Sequence, residues 1–185
     1  MRNRILTATA VTLLAAAPLA ADEITDTLQS AIEAYEDGDV QYALDELEIA
    51  KQKLMGLKTS ALSAYLPEAP EGWTRELNED VANGLGMMGG GVAAEATYSN
   101  GGTSYTLNFM ADNAMVASLA GMINNAAVMG MKVERVNRQK FAIQNREIMG
   151  LVANRVLVRI SGADVETMLK ALEAIDFQAM ASFGA

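Results

Sequence analysis

Three side-chain types in this chain could carry chemistry: the methionine thioether, the carboxylate and the guanidinium. The 185 residues include 12 Met, 23 Asp plus Glu and 14 Lys plus Arg. Thioethers are soft ligands that hold Cu(I) without His or Cys. Met87, Met88, Met110, Met115, Met122, Met129, Met131 and Met149 therefore raise a carrier of a soft metal or of a small apolar ligand. Their spacing divides them. Met115, Met122 and Met129 recur every seven residues, as on the apolar stripe of a helix, where a flexible side chain packs a core. Met87 and Met88 sit in GLGMMGGG, Gly84 to Gly91, and have no such explanation. They are candidate contacts for a partner or apolar ligand, and a soft-metal site would rest on them.

The same segment places Gly84, Gly86 and Gly89 at the spacing of a dinucleotide-binding glycine motif. That motif needs a strand before the turn and a helix after it to receive the pyrophosphate. Here a loop is expected before it and the strand-like VAAEATY follows, so the glycines predict a flexible loop.

Asp37 with Asp39, and Glu76 with Glu79 and Asp80, are the carboxylate groupings that a hydrolase or a calcium site would draw on. Hydrolysis of a glycoside needs two carboxyls facing one bond. Calcium needs several converging oxygens, and EDGD lacks the alternating ligands and the distant Glu of a calcium loop. It is better explained as a helix turn, so a carboxylate-based hydrolase ranks third and no catalytic residue is assigned. The sequence has no His and no Cys, which excludes disulfides, thiolate nucleophiles, His-based triads and the usual zinc ligand sets. No cofactor is predicted.

The charges are unevenly placed. Residues 22–50 hold ten acids and no base, whereas residues 132–159 hold seven bases and two acids, Glu134 and Glu147. Complementary blocks of this kind steer association, within one molecule or between two, so Arg135, Arg138, Arg155 and Arg159 are candidate partner-binding residues. A net charge of -9 and a pI of about 4.5 argue against nucleic acid, which demands a basic footprint.

These residues must be positioned by an ordered series of elements. Arg2 and Arg4 precede an uncharged run from Ile5 to Ala21, the pattern of a secretory signal peptide, with cleavage expected after Ala21. The mature chain would carry 12 basic and 23 acidic residues, a net of -11. From Ile24 to about Tyr65 the period is helical: Ile24, Leu28, Ala31, Ile32 and Tyr35, then Val40, Ala43, Leu44, Leu47, Ala50, Lys51 and Leu54. Gly38 breaks the run and Asp39 can cap the second helix. The spacing of Gly38, Ala43, Leu47 and Ala50, with Tyr35 nearby, resembles one tetratricopeptide repeat, with Thr27, Ala31 and Met55 where that motif carries Trp, Gly and Pro. The resemblance implies a partner-presenting helical hairpin. One repeat cannot bury its own face.

Pro67 to Trp73 is expected to be a linker, and Trp73, the single tryptophan, is a candidate contact residue. Residues 93–98 and 103–111 flank a Ser-Asn-Gly-Gly turn as a β-hairpin. Asp112 or Asn113 caps a helix reaching Met131, whose stretch 113–130 carries no charge. Its Asn124 and Asn125 are candidate contacts. Strands follow at about 132–137, 139–145, 147–153 and 155–161, and a final helix starts near Asp164. The order predicts an α+β fold, an N-terminal helical hairpin followed by an antiparallel sheet covered by helices. The element order is similar to the PsbP-like family, which groups photosystem subunits with small periplasmic proteins. Boundaries are expected at 1–21 for the signal, 22–66 for the hairpin, 67–91 for linker and glycine- and methionine-containing loop, and 92–185 for the α+β domain.

Together these features predict a non-enzymatic periplasmic interaction or assembly module that binds another exported protein or itself. If the signal is cleaved as expected, N-terminal sequencing of the protein recovered from periplasm starts at Asp22-Glu23-Ile24; a chain that still starts at Met1 refutes the export reading.

Overall fold

Two helices come first among the described residues, α1 over Pro18–Glu36 and α2 over Val40–Ser63, in a computed structural model that describes residues 18–87 and 90–184. Residues up to Leu54 form one compact unit and those from Met55 a second. The expected signal peptide lies, up to residue 17, outside the described residues.

In the first unit, Gly38 at φ +83° closes α1. Its N–H bonds Tyr35 O at 3.1 Å and the Asp39 N–H bonds Ala34 O at 2.9 Å, the paired bonds that satisfy a helix's last carbonyls. Asp39 then caps α2, its Oδ1 accepting the Tyr42 N–H at 3.1 Å. The periodic residues of the hairpin split into two sets. Ile24, Thr27, Ala31, Ala34, Ala43 and Ala50 are buried, while Leu28, Ile32, Tyr35, Val40, Tyr42, Leu44, Leu47, Ile49 and Leu54 stay exposed. Lys53 joins the two helices through Glu23 at 2.8 Å and Thr27 Oγ1 at 3.1 Å.

The second unit is built on one antiparallel sheet of seven strands in the order β1-β2-β3-β7-β6-β5-β4. The strands are β1 (Thr74–Leu77), β2 (Val92–Ser99), β3 (Ser104–Ala111), β4 (Lys132–Val136), β5 (Gln139–Gln144), β6 (Glu147–Val152) and β7 (Val156–Ser161). The expected hairpin and meander are both present. Their turns follow from φ: Asn137 and Arg138, and Asn145 and Arg146, all lie at φ between 47° and 69°, the left-handed pair that two-residue hairpins need to match strand twist. Pairing of Leu107 with Ile160 and Phe109 with Val158 joins β3 to β7.

Alternation along the strands gives the sheet two apolar faces. On one, Leu107, Phe109, Phe141, Ile148, Val158 and Ile160 pack with Leu62 from the end of α2, with Met168 and Leu172 of α5 (Val165–Leu172) and with Phe177 and Met180 of α6 (Phe177–Met180). The Asp164 cap of α5 accepts the Thr167 N–H at 2.9 Å and its hydroxyl at 2.7 Å, and these donors hold its carboxyl below the usual range. On the other face, Val116 and Ile123 of α4 (Ala114–Asn124) pack on Met149, Leu151 and Leu157. Helices thus cover both faces of the sheet.

Two expectations change. The segment 67–91 is not linker and loop throughout, because it supplies β1 and a helix, α3 (Asp80–Met87). Gly84 and Gly86 lie inside α3, which packs against β2 with Leu85 buried; burial of that leucine, about 1.5–3 kcal/mol, offsets the helix penalty of the two glycines, about 1 kcal/mol each. The helix expected to reach Met131 stops at Asn124. There the Asn125 side chain donates to Gly121 O at 2.8 Å, competing with further helical bonds. Met129 falls outside the helix and is 60% exposed, and Met115 is exposed as well, so the seven-residue methionine stripe is not core; of these three methionines only Met122 is partly packed on this face.

Gly150 in β6 is paired with Phe141 of β5. A Cβ on Gly150 would lie 2.5 Å from Phe141 Cδ1 and 2.8 Å from Lys140 O, because the aromatic ring occupies the space a side chain would take. Gly150→Ala should therefore overpack this layer and cost about 1–3 kcal/mol, read as a lower urea midpoint at constant slope; an unchanged midpoint contradicts the packing.

Candidate functional site

Three of the residues singled out from sequence come together in the second unit. An open cleft of about 250 Å³ is lined by Ile123 and Asn124 from the end of α4, Arg135 of β4, Arg138 of the following turn, Gln139 and Lys140 of β5 and Leu151 of β6. It exists because α4 ends over β6, with Ile123 and Leu151 buried, while the β4–β5 hairpin continues beyond. The hairpin tip is held in place by Asn137, whose Nδ2 donates to Glu173 O at 2.9 Å and Ile175 O at 3.3 Å. Gln139 Nε2 donates to Leu151 O at 2.7 Å, closing one wall.

The cleft is cationic. Arg135 and Lys140 are direct cross-strand partners, a placement of like charges that weakens a sheet. The two carboxylates of the basic block are already engaged: Glu134 pairs with Lys132 at 3.1 Å and Glu147 pairs with Arg159. Among the described residues no carboxylate pairs with Arg135, Arg138 or Lys140. The arrangement can hold an anionic oxygen group over an apolar floor.

The remaining candidates lie elsewhere. Arg159 is committed to Glu147. Arg155 donates to Gly184 O at 2.7 Å. Asn125 caps α4. Met87 is the last residue of α3, and Met88 lies outside the described residues. Asp39 serves as a helix cap, Asp80 opens α3 and Glu76 lies exposed in β1. Among the described residues no group of three or more acidic side chains converges to hold a metal.

Sequence reasoning missed Lys140 and Gln139. A two-residue turn between β4 and β5 fixes their register opposite Arg135 and Val136, and that turn was the available signal.

Trp73 joins an aromatic stack: its ring lies 5.2 Å from that of Tyr105, which stacks on Tyr98 at 4.9 Å. Tyr98 donates its hydroxyl to Pro67 O at 2.6 Å. Arg75 donates to the same carbonyl at 3.1 Å and pairs with Glu68 at 3.3 Å. Burial pushes the Tyr98 hydroxyl up to about 12, against a smaller opposing effect of Arg75, and burial also raises Tyr105. The cluster anchors the 67–73 segment to the sheet.

No protein family, curated protein or solved structure matches this chain.

Because the folded protein holds the Tyr98 proton more tightly than the unfolded chain, its contribution is complete below the ordinary value of 10.0 and is lost as pH rises toward about 12. The urea midpoint should fall across that window. In Tyr98→Phe the fall should be shallower, from a starting stability lower by about 0.5–1.5 kcal/mol for the lost hydrogen bond. Equal slopes for the two proteins would refute the assignment.

Proposed function

We propose that this protein is a non-enzymatic interaction module of the periplasm, reached through the N-terminal signal, whose helical hairpin binds a helical segment of another exported protein. One observation carries the reading: apart from Ile24, the hairpin is closed by small residues and leaves its large apolar ones outside. Ala31, Ala34, Ala43 and Ala50 are buried, whereas Leu44 and Leu47 are 56% and 47% exposed. Leu28, Ile32 and Tyr35 line α1 at steps of four and three. Val40, Leu44, Leu47 and Leu54 line α2 at steps of four, three and seven. These are the spacings by which one helix receives another.

Covering such side chains gains about 1.5–3 kcal/mol for each that is fully buried, so a partner helix finds several half-exposed anchors at once. All of these stripe residues but Leu54 fall within residues 22–50, which hold ten acids and no base. A partner stripe flanked by Lys and Arg fits best, and a second acidic hairpin fits worse. The resemblance to a tetratricopeptide unit agrees with a partner-presenting role.

Leu44→Ser with Leu47→Ser should reduce capture of the periplasmic partner on the order of 30-fold, while leaving folding stability within about 0.5 kcal/mol as expected of exposed positions. Native mass spectrometry of both proteins checks this. Unfolding of the variant would make these leucines core and defeat the proposal, and a homo-oligomer dispersed by the same pair would make the partner a second copy.

A further inference from the structure

We infer that the β4–β5 end of the sheet docks on an anionic phospholipid surface, the cleft cations taking headgroup phosphate and Val128 and Met129 entering the headgroup layer. The first support is charge left unmatched. In a chain with nine more acids than bases, Arg135, Arg138 and Lys140 converge on one cleft and pair with no carboxylate among the described residues, while neighbouring Lys132 and Arg159 both do. The planar guanidinium fork matches phosphate oxygens two at a time.

The second support is apolar. Val128 is 88% exposed and Met129 60%, adjacent residues in the turn between α4 and β4. Single exposed apolar residues are ordinary. Here the pair lies four residues beyond Asn124, a lining residue of the cleft, so Val128 is within about 14 Å of it along the chain. The turn holds itself in shape: Met129 N–H bonds Asn125 O at 3.0 Å, Gly130 N–H bonds Ala127 O at 3.2 Å and Met131 N–H bonds Ala126 O at 2.9 Å. Apolar side chains beside a cationic rim are what an interfacial contact requires. At about 250 Å³ the cleft is smaller than a site for a drug-sized molecule, so it admits a headgroup and leaves the acyl chains in the bilayer. No helix among the described residues is long and apolar enough to cross a membrane, and the contact is peripheral. All of these residues belong to the second unit, so the inference stands apart from the hairpin's partner.

Co-sedimentation of the purified protein with vesicles of phosphatidylcholine, and of phosphatidylcholine with equimolar phosphatidylglycerol, tests it. Binding is expected only with phosphatidylglycerol and should weaken with salt. Arg135→Gln with Arg138→Gln should lower it roughly 25-fold. Val128→Ser with Met129→Ser should lower it independently of salt, and both variants should keep the parent thermal midpoint. Equal binding to both vesicle types, indifference to both pairs of substitutions, or no binding would overturn the inference. Inorganic phosphate titrated by NMR separates the remaining source: saturable shifts at Arg135 and Arg138 without vesicle binding would make this a free-phosphate site and overturn the lipid assignment.

Discussion

The pairing of β3 with β7 is the contact on which the second unit depends. Each half of the sheet is local in sequence, β2 with β3 through one turn and β4 to β7 through three. Only the register Leu107 to Ile160 and Phe109 to Val158 merges them into one surface. A long loop must close before this pairing gains anything. Once it forms, Leu107, Phe109, Val158 and Ile160 become a continuous apolar floor for α5, α6 and the end of α2, and Met110 comes beside Leu157 beneath α4.

The cleft is a by-product of that arrangement. α4 is anchored by Val116 and Ile123 over β6 and β7, and its end is set by Asn125 turning back on Gly121. The β4–β5 hairpin projects past that end, with its turn tied to the loop after α5 through Asn137. Arg135, Arg138 and Lys140 therefore meet because strand register and helix length disagree at one corner. Like charges placed opposite one another lower sheet stability, and the sheet carries them at an edge, where water screens them.

The first unit inverts the usual distribution of side-chain size. Alanines at the helix contact allow close approach of the two backbones, and apart from Ile24 the large apolar side chains, Leu28, Ile32, Tyr35, Leu44 and Leu47 among them, lie outside. A hairpin of this kind gains little from its own interior and leaves a large apolar surface exposed. On the proposed reading, the continuous acidity of residues 22–50 favours a partner bearing positive charge.

Much of this was legible in the residues themselves. Gly38 and Asp39 marked the helix turn, the Ser-Asn-Gly-Gly turn marked the hairpin of residues 93–98 and 103–111, and the four strands that follow fell near their observed places, since each is a local backbone preference written in a few side chains. Sequence by itself also determined that no thiol or imidazole chemistry is available. Tertiary structure alone decided the rest. It placed Gly84 and Gly86 in a helix that buries Leu85 against β2, it left Met129 outside the helix because α4 stops at Asn124, and it turned Met115 of the first turn of α4 to the exposed side. From a diffuse basic block it selected Arg135, Arg138 and Lys140 by pairing Lys132 and Arg159 with the carboxylates at hand. Periodicity reports which residues share a face; only the packing of distant segments decides whether anything covers that face.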